Sequence, residues 1–473
     1  MTAPKFCKSK IIATIGPSSW DKDILKDMIS AGMDMARINA SFADYNELKR
    51  VKETVRSISP RISMVLDTMG NKIRVSGFSQ PKQIIAGDTL ILLPQTEEIT
   101  NSSEIHITYD NLYNDVSRGA KILLDDGNLE LTVTDIKSKK VICSARNNYT
   151  LYAKKTVNIP NQELSFPELT EKDIQDINYA IDLKYDYVAL SFVQNEEVVL
   201  KTRELLKKKK IGIISKIENQ AGLNNFDKIL NATDAVMIAR GDLGVEIPYE
   251  DIPLIQKELI YRCRSVGKPV IVATQMLESM RDSRHATRAE VSDVANSIID
   301  GADAVMLSAE TSTGKYPVKS VDTMNTIALK IEDRLTPQPV YGNTDANRDT
   351  DELCKSIFNL TGSMNLKSIV VISETGRTVR SLSRHRPLTP IFEVTDDINR
   401  IRKDNILRGV KCYYTSELSD DRDQSIRNAI ETIFSYGELD FNDKIAIISG
   451  SSIKNKDSNT ILEIATVKDI IKD

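Results

Sequence analysis

The chain has 473 residues, enough for roughly two to four domains, and its 63 basic and 67 acidic side chains give a net charge of −4. This balance provides no basic face for nucleic acid, and no apolar run of about 18 residues suggests a membrane span. The start, MTAPKFCKSK, lacks the apolar stretch of a signal peptide, and the five cysteines are scattered singly. We therefore expect a soluble, cytoplasmic protein with no nucleic-acid or membrane partner.

Short apolar stretches with the character of buried strands recur along the chain. Three come early, at 11–15, 35–38 and 62–66, and five more follow an interruption, at 187–193, 211–217, 235–239, 270–273 and 304–307. Eight successive βα units close most naturally into a (β/α)₈ barrel, whose chemistry lies at the carboxyl ends of the strands. We predict an α/β fold in which residues 1–71 and 161–335 form this barrel.

The interruption, residues 72–160, has a different pattern. Alternating apolar and polar residues at 89–93, 104–108, 121–124, 129–133 and 141–145 are separated by glycine-containing turns. This predicts an inserted small β-barrel domain, which would stand over the barrel mouth as a lid that excludes water. Lys154 and Lys155, near its end, could meet a nucleotide phosphate, or could equally be a solvated strand end.

A run rich in Pro, Asn and Asp follows Arg334 and marks a connection. Beyond it, helical segments at 353–360 and 378–384 alternate with strands at 368–373, 391–394, 411–414 and 445–448, which predicts a C-terminal α/β domain over residues 336–473. Its most distinctive segment is SETGRT at 373–378, between a strand and a helix. Such a turn could bind phosphate through backbone N–H groups and hydroxyls, or simply cap the helix.

The segment 209–242 reads as strand, helix, strand, and charged residues follow both strands. Lys216, Glu218, Arg240 and Asp242 should lie together, because neighbouring parallel strands end at the same rim. Two carboxylates and two cations could hold a divalent metal ion and an anion side by side. A pair of rim salt bridges is the plainer alternative.

Polar side chains follow seven of the eight predicted strands, which favours an active site over a chance cluster. In strand order they are Arg37, Asn39 and Ser41; Asp67, Thr68 and Arg74; Ser191 and Phe192; Lys216 and Glu218; Arg240 and Asp242; Thr274 and Gln275; and Ser308 and Glu310.

Eight segments give the chain a resemblance to pyruvate kinases across nearly its whole length. They are KSKIIATIGPSS at 8–19, AGMDMARINAS at 31–41, LDTMGNKIR at 66–74, SKIENQAGLNNFD at 215–227, MIARGDLGVEIP at 237–248, KPVIVATQMLESM at 268–280, TRAEVSDVAN at 287–296 and DGADAVMLSAET at 300–311. The resemblance implies a cytoplasmic, allosteric homotetramer of glycolysis that transfers a phosphoryl group from phosphoenolpyruvate to ADP, giving pyruvate and ATP.

The resemblance also implies roles for matching residues. Glu218 and Asp242 would hold Mg²⁺ or Mn²⁺, and the catalytic residues would be Lys216, Thr274 and Arg37. The residues expected to bind substrate are Arg37, Lys216, Gly241, Asp242, Thr274, Arg74 and Phe192. Those expected to bind nucleotide are Asn39, Arg74, Lys155 and Ser308. Those expected to bind the phosphate of a sugar-phosphate effector are Ser373, Thr375, Gly376, Arg377 and Thr378.

A monovalent cation site is implied at Asn39, Ser41, Asp67 and Thr68, and the sequence departs from the family pattern beside it. The family's Asn-Phe-Ser-His is here Asn39-Ala40-Ser41-Phe42, and Lys72 stands where K⁺-dependent members carry a glutamate. The Lys72 ammonium could replace the ion, so we expect that K⁺ is not required. The alternative is that Lys72 snorkels outward to solvent.

Two further functions stay open at the sequence level. One is a catalytically weak paralogue that serves as an effector-binding regulatory protein. The other is a different barrel enzyme that stabilises an enolate on Mg²⁺, such as an aldolase or phosphoenolpyruvate mutase, although neither needs the inserted lid. The intact Lys216, Glu218, Asp242 and Thr274 favour an active pyruvate kinase.

Overall fold

The structure is a computed structural model that describes residues 6–162, 164–207, 209–336, 339–340, 342, 348–373, 375–419, 421–450 and 459–471. The first five residues, most of the predicted connection after Arg334 and Glu374 of the 373–378 turn lie outside the described residues.

The strands of the described chain are β1 (Lys10–Thr14), β2 (Met35–Asn39), β3 (Ser63–Asp67), β4 (Ile73–Ser76), β5 (Lys82–Ile84), β6 (Thr89–Pro94), β7 (Glu104–Ile107), β8 (Lys121–Leu124), β9 (Leu129–Lys137), β10 (Lys140–Ala145), β11 (Tyr149–Leu151), β12 (Thr156–Asn158), β13 (Tyr187–Leu190), β14 (Gly212–Ile217), β15 (Ala235–Ala239), β16 (Val270–Ala273), β17 (Ala304–Leu307), β18 (Ser368–Ile372), β19 (Ile391–Thr395), β20 (Val410–Tyr414), β21 (Lys444–Gly450) and β22 (Asn459–Thr466).

The helices are α1 (Lys22–Ser30), α2 (Tyr45–Ile58), α3 (Leu112–Asp115), α4 (Glu171–Asp182), α5 (Glu196–Leu206), α6 (Gln220–Asn224), α7 (Phe226–Ala232), α8 (Arg240–Glu246), α9 (Ile252–Ser265), α10 (Arg288–Asp300), α11 (Ala309–Ser312), α12 (Pro317–Glu332), α13 (Arg348–Ser363), α14 (Arg377–His385), α15 (Ile398–Asp404), α16 (Arg422–Ser435) and α17 (Val467–Ile470).

Strands β1 to β3 and β13 to β17 form a closed parallel barrel in the order β1-β17-β16-β15-β14-β13-β3-β2. All eight predicted barrel strands are present, so the predicted fold is confirmed. Successive side chains point to opposite faces of a strand. On β1, Ile12 packs inside the barrel with Met35 and Ile214, whereas Ile11 packs outside against the helices with Leu25 and Met28. Both faces are thereby covered, which leaves the strand ends as the place for polar side chains.

Helix α10 shows how local chemistry sets the position of a rim strand. Thr287 and Glu290 form a capping box, in which each side chain accepts a hydrogen bond from the other residue's backbone N–H. The helix ends at Gly301, whose φ of +103° suits glycine, and a Cβ there would lie 2.8 Å from Nη1 of Arg264. Strand β17 begins soon after this turn, and Ser308 follows its last residue at the rim.

The inserted domain spans β4 to β12. It contains a second closed barrel, β10-β6-β7-β4-β12-β8-β9, and a two-stranded sheet of β5 and β11. The five predicted strands are confirmed. Strands β4, β5, β11 and β12 were not predicted, because each has only three or four residues, too few for alternation to stand out.

The third domain is a five-stranded sheet in the order β20-β19-β18-β21-β22, with β22 antiparallel to β21. It packs against the amino-terminal ends of the barrel strands, at the opposite end from the polar rim. Nζ of Lys10 donates to the Val410 carbonyl at 2.8 Å, and Arg386 binds both oxygens of Asp303 at 2.9 and 2.8 Å. Within the described chain, none of the helices combines the length and apolar character that a membrane span requires.

Candidate active site

Lys216, at the end of β14, lies in a set of charged and polar contacts on the barrel rim. Its Nζ lies 2.8 Å from Ser191 Oγ, 3.2 Å from Asp67 Oδ1 and 3.0 Å from Glu218 Oε1. Burial lowers the pKa of a lysine, but the Asp67 and Glu218 carboxylates outweigh this effect and raise the pKa of Lys216. The side chain is therefore a fixed, buried positive charge.

Asp67 links Lys216 to Arg37. Arg37 Nε donates to Asp67 Oδ2 at 2.6 Å, while Nη1 donates to Thr14 Oγ1 at 2.8 Å. Burial raises the pKa of a carboxyl group, but Arg37 and then Lys216 outweigh it, so the pKa of Asp67 is lowered and the group stays ionised. One buried carboxylate thus positions the two cations expected to bind the transferred phosphate.

Ser191 is predicted only as one of the polar residues at the strand ends, without a role in the site, although it lies close to Lys216. Its hydroxyl also contacts the Thr68 carbonyl at 2.7 Å and Asp67 Oδ1 at 3.2 Å. Gly70 packs directly on it, since a Cβ at Gly70 would lie 2.7 Å from the Ser191 carbonyl, and Gly70 has a φ of +68°. The signal in the sequence was only that Ser191 follows a predicted strand.

Glu218 and Asp242 follow neighbouring strands, as predicted for two metal ligands. Glu218 is buried, with Oε1 on Lys216 and Oε2 accepting the Phe192 N–H at 2.7 Å. Burial raises the pKa of Glu218; Lys216 opposes this and the Asp242 charge adds to it. A divalent cation bound by both carboxylates would offset their repulsion.

The donor set fits magnesium. In the described residues there is no cluster of three or more His, Cys, Asp or Glu side chains that could hold a metal ion. Mg²⁺ is commonly bound through one or two carboxylates, with substrate phosphate and water supplying the other oxygens. Two carboxylates beside the two cations that are expected to bind phosphate therefore suit Mg²⁺ or Mn²⁺ bound together with a substrate.

The Lys72 ammonium pairs with Asp242 and not with Asp67, the carboxylate of the monovalent cation pocket that the sequence suggests for it. Its Nζ is 3.1 Å from Asp242 Oδ1 and 5.4 Å from the centre of the Phe192 ring. Both oxygens of Asp67, the only carboxylate of that pocket, already bind Arg37 and Lys216. Asp242 is the better partner because its carboxylate is still available.

Thr274, at the end of β16, is held in an uncommon backbone conformation with a φ of +66°. Its Oγ1 accepts the Gly241 N–H at 2.7 Å and donates to the Ala273 carbonyl at 2.6 Å. Arg240 donates to the Thr274 carbonyl at 2.9 Å and is anchored by two 2.6 Å contacts to Asp293. Arg240, which we grouped with the open rim charges, is thus occupied and supports Thr274 instead.

The residues expected to bind nucleotide come from two parts of the fold, the lid and the barrel rim. Arg74 belongs to β4 of the lid, where its Nη1 donates to the Lys154 carbonyl at 2.8 Å, and Lys155 pairs with Asp125 at 3.0 Å. Asn39 lies on the barrel rim, where its Oδ1 accepts the Ser41 N–H at 3.0 Å. The Ser308 N–H donates to the buried Glu310 at 2.7 Å.

The predicted effector turn joins β18 to α14, at the far end of the molecule from Lys216. Ser373 Oγ accepts the Gly376 N–H at 2.8 Å, and Gly376 has a φ of +71°. Thr378 is buried in the first turn of α14. The described residues of this turn thus connect a strand to a helix, as both the phosphate-binding turn and the plain helix cap require.

Comparisons with known proteins agree with this arrangement. The family described as "Pyruvate kinase, barrel domain" matches residues 6–321, and "Pyruvate kinase, alpha/beta domain" matches residues 351–464. A pyruvate kinase from Bacillus licheniformis is 39% identical over 477 residues, which cover 98% of this chain and 81% of the relative. One from Staphylococcus saprophyticus is 38% identical with the same coverage.

A solved structure is similar over the whole fold. The crystal structure of a pyruvate kinase from Cryptosporidium parvum superposes with a TM-score of 0.90 at 33% identity, covering 98% of this chain and 96% of that chain. Together with the two family matches, this likeness covers the barrel, the lid and the third domain. The chain therefore belongs to the pyruvate kinase family.

Proposed function

We propose that the barrel rim catalyses phosphoryl transfer from phosphoenolpyruvate to ADP, with Lys216 as the central catalytic cation. The observation that carries this is the position of its ammonium, within 3.2 Å of Asp67, Glu218 and Ser191. Three oxygen atoms hold the charge in place before substrate arrives. A preorganised cation of this kind costs no reorganisation at the moment of reaction.

Lys216 and Arg37 act on the phosphoryl group. The enol oxygen–phosphorus bond breaks while an oxygen of the ADP β-phosphate forms the new bond to phosphorus. Negative charge grows on the departing enolate, where the Lys216 ammonium stabilises the transition state more than the ground state. Arg37, fixed by Asp67 and Thr14, binds the phosphate.

Glu218 and Asp242 are the proposed ligands of the divalent cation. When bound, Mg²⁺ or Mn²⁺ supplies charge neutralisation for the phosphoryl group and the enolpyruvate carboxylate. The Phe192 N–H orients one oxygen of Glu218. Gly241 precedes Asp242 and donates its N–H to Thr274, so the start of α8, which carries the metal ligand, is hydrogen-bonded to the proton-transfer residue.

Thr274 completes the reaction by delivering a proton to C3 of the enolate. Its hydroxyl donates to the Ala273 carbonyl, and rotation about the Cβ–Oγ1 bond would redirect the proton towards the rim. Threonine is a weak acid, so the proton must be replaced through water. Arg240 and Asp293 act as positioning residues, because they hold the Thr274 backbone.

Asn39, Arg74, Lys155 and Ser308 are proposed to bind the nucleotide. Arg74 and Lys155 belong to the lid, so closure of the lid over the rim would bring them towards ADP and exclude water. Asn158 of the lid already donates to Glu246 of α8 at 2.8 Å, which gives a contact about which closure can occur. The monovalent site is proposed at Asn39, Ser41, Asp67 and Thr68.

The proposal also covers how the protein is regulated and how it assembles. A sugar phosphate would bind the turn formed by Ser373, Thr375, Gly376, Arg377 and Thr378, and the protein would work as a cytoplasmic homotetramer in glycolysis. The weak paralogue considered above finds no support, because the relatives named pyruvate kinase match 98% of the chain.

The test is a lactate-dehydrogenase-coupled assay with phosphoenolpyruvate, ADP and Mg²⁺. We expect turnover that depends on all three, and a folded protein without turnover would contradict the proposal. The variant Asp293→Asn separates positioning from chemistry. It should lower kcat with little change in KM for phosphoenolpyruvate, since it loosens Thr274 without touching the phosphate-binding cations.

A further inference from the structure

The first and last strands of the lid form one two-stranded ribbon. Strand β4 pairs antiparallel with β12, and Val157 lies opposite Ile73. Lys72 directly precedes Ile73, and Asn158 directly follows Val157, so these two residues are neighbours at the end of the ribbon that joins the barrel. The chain enters and leaves the lid at this end, which is where a hinge between the two domains belongs.

Both residues are held by helix α8 of the barrel. The Lys72 ammonium lies 3.1 Å from Asp242 Oδ1, and the Asn158 side-chain amide donates to Glu246 Oε1 at 2.8 Å. Asp242 and Glu246 are four residues apart, so they lie on the same face of α8, separated by about 6 Å along its axis. One short helix thus holds the end of the lid ribbon at two points.

The Lys72 ammonium has a second neighbour, the ring of Phe192. The distance from Nζ to the ring centre is 5.4 Å, which is within range of a cation–π interaction. The Phe192 N–H in turn donates to Glu218 Oε2 at 2.7 Å. The ammonium therefore contacts Asp242 directly and also contacts the residue that is hydrogen-bonded to Glu218, and these are the two carboxylates proposed to bind the divalent cation.

The lid and the barrel are not fully packed against each other at this hinge. A narrow cleft of about 50 Å³ lies between them, and Lys72, Asn158, Phe192 and Glu246 all line it. Such a volume holds a few water molecules and is too small for a metabolite. The cleft therefore leaves room for the ribbon to turn relative to α8.

We propose that the Lys72–Asp242 pair is a latch on the lid that is released when Asp242 binds a divalent cation. The Asn158–Glu246 contact is the pivot that remains. Because Asp242 is a metal ligand in the proposed function, on which this inference rests, its carboxylate oxygen exchanges the ammonium for a dication, and the two positive charges repel each other. The ribbon is then held at one point of α8 and turns about it.

The latch makes lid closure follow metal binding. While Lys72 contacts Asp242, the ribbon stays in the position described here. Both side chains are partly exposed, so the latch shifts the lid equilibrium by up to about fivefold and does not lock it. Lys72, Asn158 and Glu246 are therefore positioning residues, which act through the lid and not on the reacting atoms.

Hydrogen–deuterium exchange with and without saturating Mn²⁺ tests the latch. Residues 70–76 report on it, because the Lys72 N–H donates to the Gly70 carbonyl at 3.0 Å and the Val75 N–H to the Lys155 carbonyl at 2.9 Å. In the unmodified protein we expect Mn²⁺ to raise exchange in this segment by up to about fivefold. Lys72→Met should show the raised exchange without metal and no further response to Mn²⁺.

The matched control for Lys72→Met is Lys121→Met. It removes an exposed ion pair within the lid, in which Lys121 lies 3.2 Å from Glu130, and it leaves the hinge untouched. Its exchange in residues 70–76 should respond to Mn²⁺ as in the unmodified protein.

The pivot is tested by two variants at one position. Glu246→Ala removes the acceptor of the Asn158 amide, whereas Glu246→Gln keeps an acceptor oxygen. Glu246→Ala should raise exchange in residues 156–158 by about threefold or more, the range for one hydrogen bond. It should also raise KM for ADP more than KM for phosphoenolpyruvate, because the lid carries proposed nucleotide ligands. Glu246→Gln should restore both quantities, and Asn158→Ala should match Glu246→Ala.

Mn²⁺ binding, followed by electron paramagnetic resonance, separates the latch from the proposed metal site. If Asp242→Asn weakens Mn²⁺ binding but Mn²⁺ does not change exchange in residues 70–76 of the unmodified protein, the latch alone is wrong. If Asp242→Asn binds Mn²⁺ normally, the proposed metal site is wrong together with the latch. Normal exchange and a normal KM for ADP in both Glu246→Ala and Asn158→Ala would overturn the pivot.

Discussion

The Lys72 ammonium lies 3.1 Å from Asp242, the carboxylate proposed to bind the divalent cation. Both side chains are partly exposed, at 26% and 29%, so the ion pair contributes about 1 kcal/mol or less. A metal ion must nevertheless replace or share this contact when it binds. The strength of metal binding should therefore depend on Lys72 as well as on the two carboxylates.

Metal affinity should change in opposite directions in two sets of variants. Asp242→Asn and Glu218→Gln each remove an anionic ligand and should raise the Mn²⁺ dissociation constant strongly. Lys72→Met removes the competing ammonium and should lower it by up to about fivefold, which corresponds to about 1 kcal/mol. Electron paramagnetic resonance of free Mn²⁺ measures binding without relying on turnover.

The control for these variants is Asp282→Asn, which removes an exposed carboxylate that pairs with Lys315. Its Mn²⁺ affinity should equal that of the unmodified protein. Unchanged affinity in both Asp242→Asn and Glu218→Gln would show that the metal binds elsewhere.

The dependence on K⁺ is a second prediction. Near-full activity is expected in tetramethylammonium buffer without K⁺, because a lysine at position 72 brings its own positive charge to this side of the rim. Lys72→Glu should create a K⁺ requirement, measured as activation in a K⁺ titration.

Strong activation of the unmodified protein by K⁺ would contradict this prediction. The structure makes that test sharper, because Lys72 contacts Asp242 and not the Asn39, Ser41, Asp67 and Thr68 pocket. Activation would mean that the Lys72–Asp242 pair persists while K⁺ occupies the pocket.

Thr274→Val should impair the protonation step of the reaction. Valine keeps the shape but loses the hydroxyl, and it leaves the Gly241 N–H without its acceptor. We expect kcat to fall about 10²-fold or more, the range for loss of a general acid. Exchange of pyruvate C3 protons with deuterated water, followed by NMR, should fall in parallel.

Thr274→Ser is the matched control, because it retains the hydroxyl. It should keep most of the exchange activity. Normal exchange in Thr274→Val would assign proton delivery to another group.

The fold could be predicted largely because its signals are local. Each barrel strand is a short apolar run, and the βα spacing repeats, so the barrel followed from counting units. Strand β22 was missed because it follows residues 451–458, whose sequence SSIKNKDS has no strand pattern, and because it pairs antiparallel with β21. Its place is set by a long-range partner, which periodicity cannot show.

The site was predicted less completely, since contacts across the rim depend on register. Barrel closure predicts that Lys216 and Asp67 meet. The order of the strand ends alone does not show that the Ser191 hydroxyl contacts both of them. The partner of Arg240 was likewise hidden, because Asp293 is distant in sequence and lies on α10. The partner of Lys72 was also hidden, because only the three-dimensional structure shows that both Asp67 oxygens already bind Arg37 and Lys216.

The effector turn should couple to substrate binding. A sugar phosphate or bisphosphate bound at Ser373–Thr378 is expected to shift the apparent affinity for phosphoenolpyruvate by roughly five- to 150-fold, which corresponds to about 1 to 3 kcal/mol. Kinetics and thermal midpoints across a panel of such metabolites check this. If the whole panel changes neither quantity, the turn is only a helix cap.

Lys216 is proposed as the central catalytic cation, and Lys216→Met removes its charge. Lys10→Met is the matched control, because Lys10 is also a buried barrel lysine but binds the Val410 carbonyl at the opposite end. Turnover should be measured per folded molecule by the coupled assay, together with Mn²⁺ and phosphoenolpyruvate binding. We expect Lys216→Met to lose on the order of 10² to 10³ or more in kcat with binding still measurable, while Lys10→Met keeps its turnover. Retained turnover in folded Lys216→Met would rule out this role for Lys216 and assign the catalytic cation to another residue.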